Sequence, residues 1–176
     1  MNKRQFDSLC ESGCINFGRK WACPPFSPSF SDFVIGWERI IVIYMRVATV
    51  QLSYIKNDYL KIKAANSIMK SRADRFLREM AHQYGSYISM GSCRLCNPCK
   101  RTVDKQCAKP DKMTFSFEAL GVDVDQMVNS CFSTPLQWYK SGCLPEYTAV
   151  VCGLLTNETI SANDLCKKYY IYSNMT

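Results

Sequence analysis

The pattern of apolar and polar positions in the first half of the chain predicts a strand followed by a long helix. Residues 40–47 form a continuous, largely β-branched apolar run, which is typical of a buried central strand. Between residues 57 and 83 the apolar side chains recur every three or four positions, which predicts one amphipathic helix. Gly85 follows this segment and is expected to end the helix.

Shorter elements are predicted in the second half of the chain. Residues 87–90 read as a short strand that leads into a cysteine-rich loop. Asp123, with Gln126 three positions later, matches a capping box and predicts a short helix to about residue 130. Residues 136–140 and 147–156 are predicted to be strands joined by a turn.

Together these elements predict an α+β fold, in which one long and one or more short helices pack on a single mixed sheet and cysteine-rich loops bind metal. The chain shows no internal repeat and no linker-like segment, so we expect residues 1–176 to form a single cysteine-rich metal-binding domain. With 47% hydrophobic and 12% aromatic residues, the composition excludes a disordered protein.

The usage of cysteine changes this picture, since the chain contains 11 cysteines and one histidine. An odd number of cysteines cannot pair completely. No apolar segment follows the basic residues at the start, and no apolar run approaches the roughly 18 residues of a membrane-spanning helix. We therefore expect a cytoplasmic protein without a membrane partner, whose thiols stay reduced and serve as metal ligands.

The strongest chemical signal is a group of four cysteines within 15 residues. Cys93, Cys96 and Cys99 are spaced by two residues, and Cys107 follows after seven more. Such a run lets three thiolates turn inward on one loop, as in the loops that hold a [4Fe–4S] cluster in bacterial ferredoxins, although those place the fourth cysteine closer. Four thiolates also make a zinc site, but zinc sites usually contain two separated pairs. The spacing favours iron–sulfur, with zinc as the alternative.

A second group of three cysteines lies near the start of the chain, at Cys10, Cys14 and Cys23. Three thiols leave a fourth ligand position to fill. Cys131, Cys143 or a non-cysteine residue could fill it, or it could stay open to a small molecule. Alternatively, the two groups of cysteines converge on one shared site.

Other residues that invite a functional interpretation have simpler structural ones. His82 stands near a helix end, where a solvated side chain is expected. Glu118 and Asp123 could handle protons as a pair, but capping of helix starts explains both. The isolated cysteines among apolar neighbours are expected in the core: Cys131, Cys152 and Cys166.

The formal net charge of +7 fits the same interpretation, because basic residues flank the cysteines of both groups. Two [4Fe–4S] clusters, each about −2 with four thiolates, would reduce this charge to about +3. A basic patch for nucleic acid is the alternative, but no nucleic-acid-binding motif is present, so we do not expect that partner.

Three motifs in order resemble those of a family described as predicted metal-binding proteins, the domain of unknown function 2284. The first is Cys-x3-Cys, an aromatic–glycine pair and Cys-Pro-Pro; the second is the Cys-x2-Cys-x2-Cys run; the third is Ser-x-Glu-Ala-x-Gly-Val-Asp-Val at residues 116–124. The resemblance implies no reaction. It implies that seven cysteines bind metal: Cys10, Cys14, Cys23, Cys93, Cys96, Cys99 and Cys107.

The leading functional hypothesis is a small cytoplasmic protein with one or two [4Fe–4S] clusters that acts in electron transfer or redox chemistry with a redox partner protein. One alternative is a zinc-stabilised binding module without redox activity. Another is an enzyme that uses an incompletely ligated cluster to bind its substrate. The sequence predicts no catalytic residue and no oligomeric state.

Overall fold

The centre of the fold is a sheet of three antiparallel strands. The structure, a computed structural model, describes residues 2–175 and contains β1 (Arg39–Ala48), β2 (Gly85–Ile88) and β3 (Tyr147–Thr156) in the order β1–β3–β2. The predicted α+β class is confirmed. Within the described residues the strands pair antiparallel rather than in mixed directions, and the parallel pairing is an isolated bridge between Ser89 and Ser116.

Five α-helices accompany the sheet in the described part of the chain: α1 (Lys3–Gly13), α2 (Phe30–Phe33), α3 (Asp58–Tyr84), α4 (Val124–Phe132) and α5 (Ala162–Met175). Short 3-10 turns connect some of them. None of these helices is long and apolar enough to cross a membrane. The sequence pattern predicted α3 and α4 and missed α1 and α5.

Capping explains the ends of α3 and the start of α4, and the caps at Gly85 and Asp123 were predicted. The Asn57 side chain accepts a hydrogen bond from the Leu60 amide at 3.0 Å and starts α3. Gly85 caps the other end with a φ of 147°, a conformation that few residues other than glycine adopt. Asp123 accepts a hydrogen bond from the Gln126 amide at 2.9 Å and starts α4.

The prediction that residues 40–47 form the central strand is wrong, since β1 lies at an edge of the sheet and β3 lies between β1 and β2. The last five residues of β3 are buried, whereas no residue of β1 is fully buried. A continuous apolar run indicates a strand, but it does not distinguish a half-buried edge from a centre. The predicted strand at 87–90 is present two residues earlier, as β2.

Residues 136–140 do not form the predicted strand, apart from an isolated bridge at the following turn. Side chains hold this segment instead of a backbone ladder. Gln137 accepts a hydrogen bond from the Glu146 amide at 2.8 Å, and the Trp138 indole donates to Asp125 at 3.2 Å. The apolar composition of this segment predicted a strand, but the segment does not pair with any of the three described strands.

The sheet carries a separate apolar cluster on each face. On one face α3 packs against Cys152 and Leu154 of β3, with Leu77 fully buried between them. On the other face residues 115–128 cover β3, with Phe117 almost completely buried. The second cluster matters for function because it fixes the segments on which both groups of cysteines rest.

Helix α1 docks against the turn formed by Glu118–Leu120 and Gly121. A Cβ on Gly121 would lie 2.6 Å from Lys3 Cα, so only glycine permits this approach. The Ser27 hydroxyl donates to the Ala119 carbonyl at 2.6 Å and ties the chain that follows Cys23 to the same turn. The turn therefore positions the amino-terminal cysteines.

We expect Gly121→Ala to destabilise the fold more than Gly142→Ala. Both glycines have left-handed φ values, 83° and 80°, so alanine costs about 1–2 kcal/mol at either position. Only at Gly121 does the added Cβ meet Lys3, whereas nothing lies within 4 Å of it at Gly142. Urea unfolding should show a further loss of about 1 kcal/mol or more for Gly121→Ala. Equal losses would contradict the tight docking of α1.

Candidate metal centre

The four cysteines of the central group line one cavity. Cys93, Cys96, Cys99 and Cys107 are all partly buried, and the cavity between them is completed by Lys20, Trp21, Ala22, Leu95 and Met113. Apart from Lys20, the added residues are apolar or aromatic. A sulfur-lined, largely apolar cavity suits a metal centre that is shielded from water.

Local turns bring Cys107 back to the other three cysteines. Cys99 precedes a 3-10 helix at Lys100–Val103, and its carbonyl accepts a hydrogen bond from the Thr102 hydroxyl at 2.7 Å. Asp104 then adopts a left-handed conformation with a φ of 52° and reverses the chain. The interval between Cys99 and Cys107 is longer than the spacing of the other three cysteines, and it contains one 3-10 helical turn and a reversal of the chain.

The amino-terminal loop packs directly on the central cysteine loop. The Lys20 ammonium donates to the Ser92 hydroxyl at 2.9 Å and to the Cys93 carbonyl at 3.1 Å. The Trp21 indole donates to the Lys105 carbonyl at 2.9 Å. The two groups of cysteines therefore lie side by side, although about 70 residues separate them in sequence.

Arg101 joins the same two loops through aromatic side chains. Its guanidinium carbon lies 5.4 Å from the ring centroid of Trp21 and 4.6 Å from that of Phe26. Its Nε atom is buried and has no hydrogen-bond partner among the described residues. The guanidinium also forms a salt bridge with Asp104, so a partly desolvated but paired positive charge lies beside the sulfur-lined cavity.

The three amino-terminal cysteines lie at the end of α1 and on the loop that follows. Cys14 is the C-cap of α1, and its amide donates to the Cys10 carbonyl at 2.9 Å. The loop closes where the Gly18 amide donates to the Pro24 carbonyl at 2.9 Å, next to Cys23. Cys23 is buried and Cys14 is exposed.

Burial, followed by the neighbouring Cys14 thiol, raises the pKa of the Cys23 thiol to about 11. Burial is also the main cause of a raised pKa at Cys10, followed by the charges of Cys14, Asp7 and Glu118. These couplings place the three cysteines in one neighbourhood. Both thiols are protonated at neutral pH without a metal, so a bound cation must displace their protons.

Cys93 also acts on the pKa of Cys23, so the two groups of cysteines influence each other electrostatically. Cys131 and Cys143 are both exposed. Glu118 was assigned to capping of a helix start, but the 3-10 helix that begins there has no side-chain capping hydrogen bond, and its charge acts on Cys10. The helical pattern of residues 3–13 could have revealed this neighbour of Cys10, because α1 carries Cys10 to the turn that contains Glu118.

The isolated cysteines behave differently from one another. Cys152 is fully buried in the core, as expected, but Cys131 and Cys166 are exposed, so their assignment to the core is wrong. Both lie on solvent-facing positions of short helices that pack only partly on the sheet. His82 is exposed in the last turn of α3, as predicted.

The donors that line the central cavity are four cysteine sulfurs. Within the described residues, no three His, Cys, Asp or Glu side chains converge closely enough to hold one metal ion. The four central cysteines nevertheless share one cavity. Sulfur donors of this kind suit either zinc or an iron–sulfur cluster.

Comparison with known proteins identifies the family. The family model of predicted metal-binding proteins, the domain of unknown function 2284, matches residues 2–155, and the chain belongs to this family. The resemblance seen in the sequence is thereby confirmed. No curated protein and no solved structure matches the chain.

We expect Cys96→Ala and Cys99→Ala to lose the metal of the central cavity and to unfold more readily, because metal-binding energy is also folding energy. The matched controls are Cys152→Ala, in the core, and Cys166→Ala, on the exposed side of α5. Both should retain the metal, and Cys152→Ala should cost about 1 kcal/mol of packing. Elemental analysis of the purified variants measures the metal, and equal loss in all four would contradict the assignment of ligands.

Proposed function

We propose that this member of the predicted metal-binding family is a small iron–sulfur protein that exchanges electrons with a redox partner protein. It would hold one [4Fe–4S] cluster at Cys93, Cys96, Cys99 and Cys107, and a second at Cys10, Cys14 and Cys23. The observation that carries the proposal is the single, mostly apolar cavity lined by the four central cysteines. Such a cluster, when bound, supplies one-electron redox chemistry.

The arrangement of the sulfurs supports a cluster over zinc. A zinc ion holds four sulfurs at about 2.3 Å from one point. Zinc sites usually take their cysteines from two separated pairs, whereas Cys93, Cys96 and Cys99 form one run of the kind that holds a [4Fe–4S] cluster. All eleven cysteines are free of disulfides, which supports a reducing, cytoplasmic setting.

The residues around the cavity have the chemistry that a cluster requires. Trp21 and Met113 line the cavity and would exclude water, which tunes a redox potential. Lys20 and Arg101 place positive charge beside four thiolates and would offset the net negative charge of the cluster. Asn97 and Pro98 are exposed between two of the cysteines, so a partner can approach the centre there.

The protein purified without oxygen should be brown, with broad absorption near about 400 nm and about four irons and four acid-labile sulfides per cluster. Iron and sulfide assays count the clusters, and two clusters would require both groups of cysteines. A colourless preparation with stoichiometric zinc would overturn the proposal and favour a zinc-stabilised binding module.

For the amino-terminal site, we infer that Glu118 supplies the fourth ligand as an oxygen donor. Its charge acts on Cys10, and no ion pair occupies it among the described residues. Asp7 also acts on Cys10, but Lys3 already forms a salt bridge with it. Glu118 lies on the turn against which α1 docks, whereas Cys131 and Cys143 are exposed on other segments of the chain.

If Glu118 closes this site, Glu118→Gln should create a labile iron. Added cyanide should then change the absorption and electron paramagnetic resonance spectra of that variant and leave those of the wild type unchanged. Asp7→Asn, Cys131→Ala and Cys143→Ala serve as controls and should behave like the wild type. A cyanide response of the untreated wild type would instead indicate an open site, as an enzyme that binds substrate at iron requires.

A further inference from the structure

A second cavity adjoins the sulfur-lined one and has the opposite character. It has a volume of about 150 Å³ and lies between α3 and the segment that leads into the cysteine loop. Four basic side chains line it: Lys70, Arg75, Arg78 and Arg94. Hydroxyl groups of Ser71, Ser89, Ser92 and Thr114 complete most of the remaining wall. We propose that this cavity binds a small oxyanion.

The protein compensates only part of the positive charge of the cavity. Arg78 forms an ion pair with Asp74 at 2.9 Å, and Asp74 is the acidic residue of the lining. Among the described residues, Lys70, Arg75 and Arg94 have no carboxylate within 4 Å. Three positive charges therefore face the cavity without a partner, which an anion would supply.

Among these cations, Lys70 gives the strongest support for an anion site, because its ammonium is partly desolvated. Burial, followed by the charge of Arg94, lowers the pKa of Lys70, whereas Glu118 raises it. The ammonium also lies close under the backbone of Gly91, since a Cβ on that residue would be 3.5 Å from Lys70 Nζ. A cation held out of water without a hydrogen-bonded partner is costly, and a bound oxyanion offsets that cost.

The hydroxyl groups add hydrogen bonding to charge. The Ser92 oxygen accepts a hydrogen bond from Lys20 at 2.9 Å, so its own proton is free to donate into the cavity. Arg94 follows Cys93 directly, and its guanidinium offers the planar set of donors that binds oxyanions well. The volume is below that of pockets for drug-sized ligands, so it suits a free ion or one terminal group.

Cys93 lines both cavities, so the anion would lie next to the proposed metal centre. Cys93 lies on the segment 91–94, which also carries Ser92 and Arg94 of the basic cavity. An anion bound here would sit within electrostatic reach of the central cluster. This consequence rests on the proposed function, whereas the anion site itself does not.

Isothermal titration calorimetry of the full chain as purified tests the site, with inorganic phosphate and acetate as probes and chloride at equal ionic strength as the reference. Wild-type protein should bind phosphate or acetate, and the better probe distinguishes a tetrahedral anion from a carboxylate. Lys70→Met and Arg94→Gln should each weaken binding about tenfold or more, since each removes a charge-assisted hydrogen bond. Lys63→Met removes an exposed lysine from the same helix and should bind like the wild type.

Binding of neither probe above the chloride reference would overturn the proposal, as would wild-type affinity in both Lys70→Met and Arg94→Gln. The experiment also separates this proposal from the proposed redox function. A zinc-containing preparation that binds phosphate supports the anion site while overturning the iron–sulfur assignment. In an iron-containing preparation, phosphate should also change the electron paramagnetic resonance spectrum of the reduced central cluster.

Discussion

The contact between the amino-terminal loop and the central cysteine loop is the interaction on which the candidate sites depend. The Lys20 ammonium donates hydrogen bonds to the Ser92 hydroxyl and the Cys93 carbonyl, and the Trp21 indole donates one to the Lys105 carbonyl. These bonds bring together segments that are far apart in sequence and close the sulfur-lined cavity with apolar side chains. Without them the cysteines of residues 93–107 would lie on a surface loop open to water.

The sequence predicted the elements whose signal is local. The 3.6-residue period of α3, the cap at Asp123 and the apolar run of β3 each depend on neighbouring residues only. Sheet order depends on which faces are covered, so β1 was assigned to the centre although it lies at an edge. Residues 136–140 have strand composition but no partner strand, and the pattern cannot reveal a missing partner.

The same division holds for the candidate sites. The spacing of Cys93, Cys96 and Cys99 predicted a shared centre, and the structure brings them to one cavity with Cys107. The spacing could not predict which other residues close that cavity, because Lys20, Trp21 and Ala22 come from the amino-terminal loop, about 70 residues away in sequence. Basic residues near the cysteines were interpreted as compensation for cluster charge, but Lys70 and Arg78 on α3 line a separate cavity.

The separation of the two cysteine segments along the chain also dictates an order of assembly. During synthesis the segment with Trp21 and Ala22 is made first, and it has no surface to close until the loop at 92–105 has been made. Between them lie β1, α3 and β2, which must collapse before the ends of this long loop can meet. The amino-terminal loop can therefore pack over the cysteines of residues 93–107 only after the intervening strands and helix have come together.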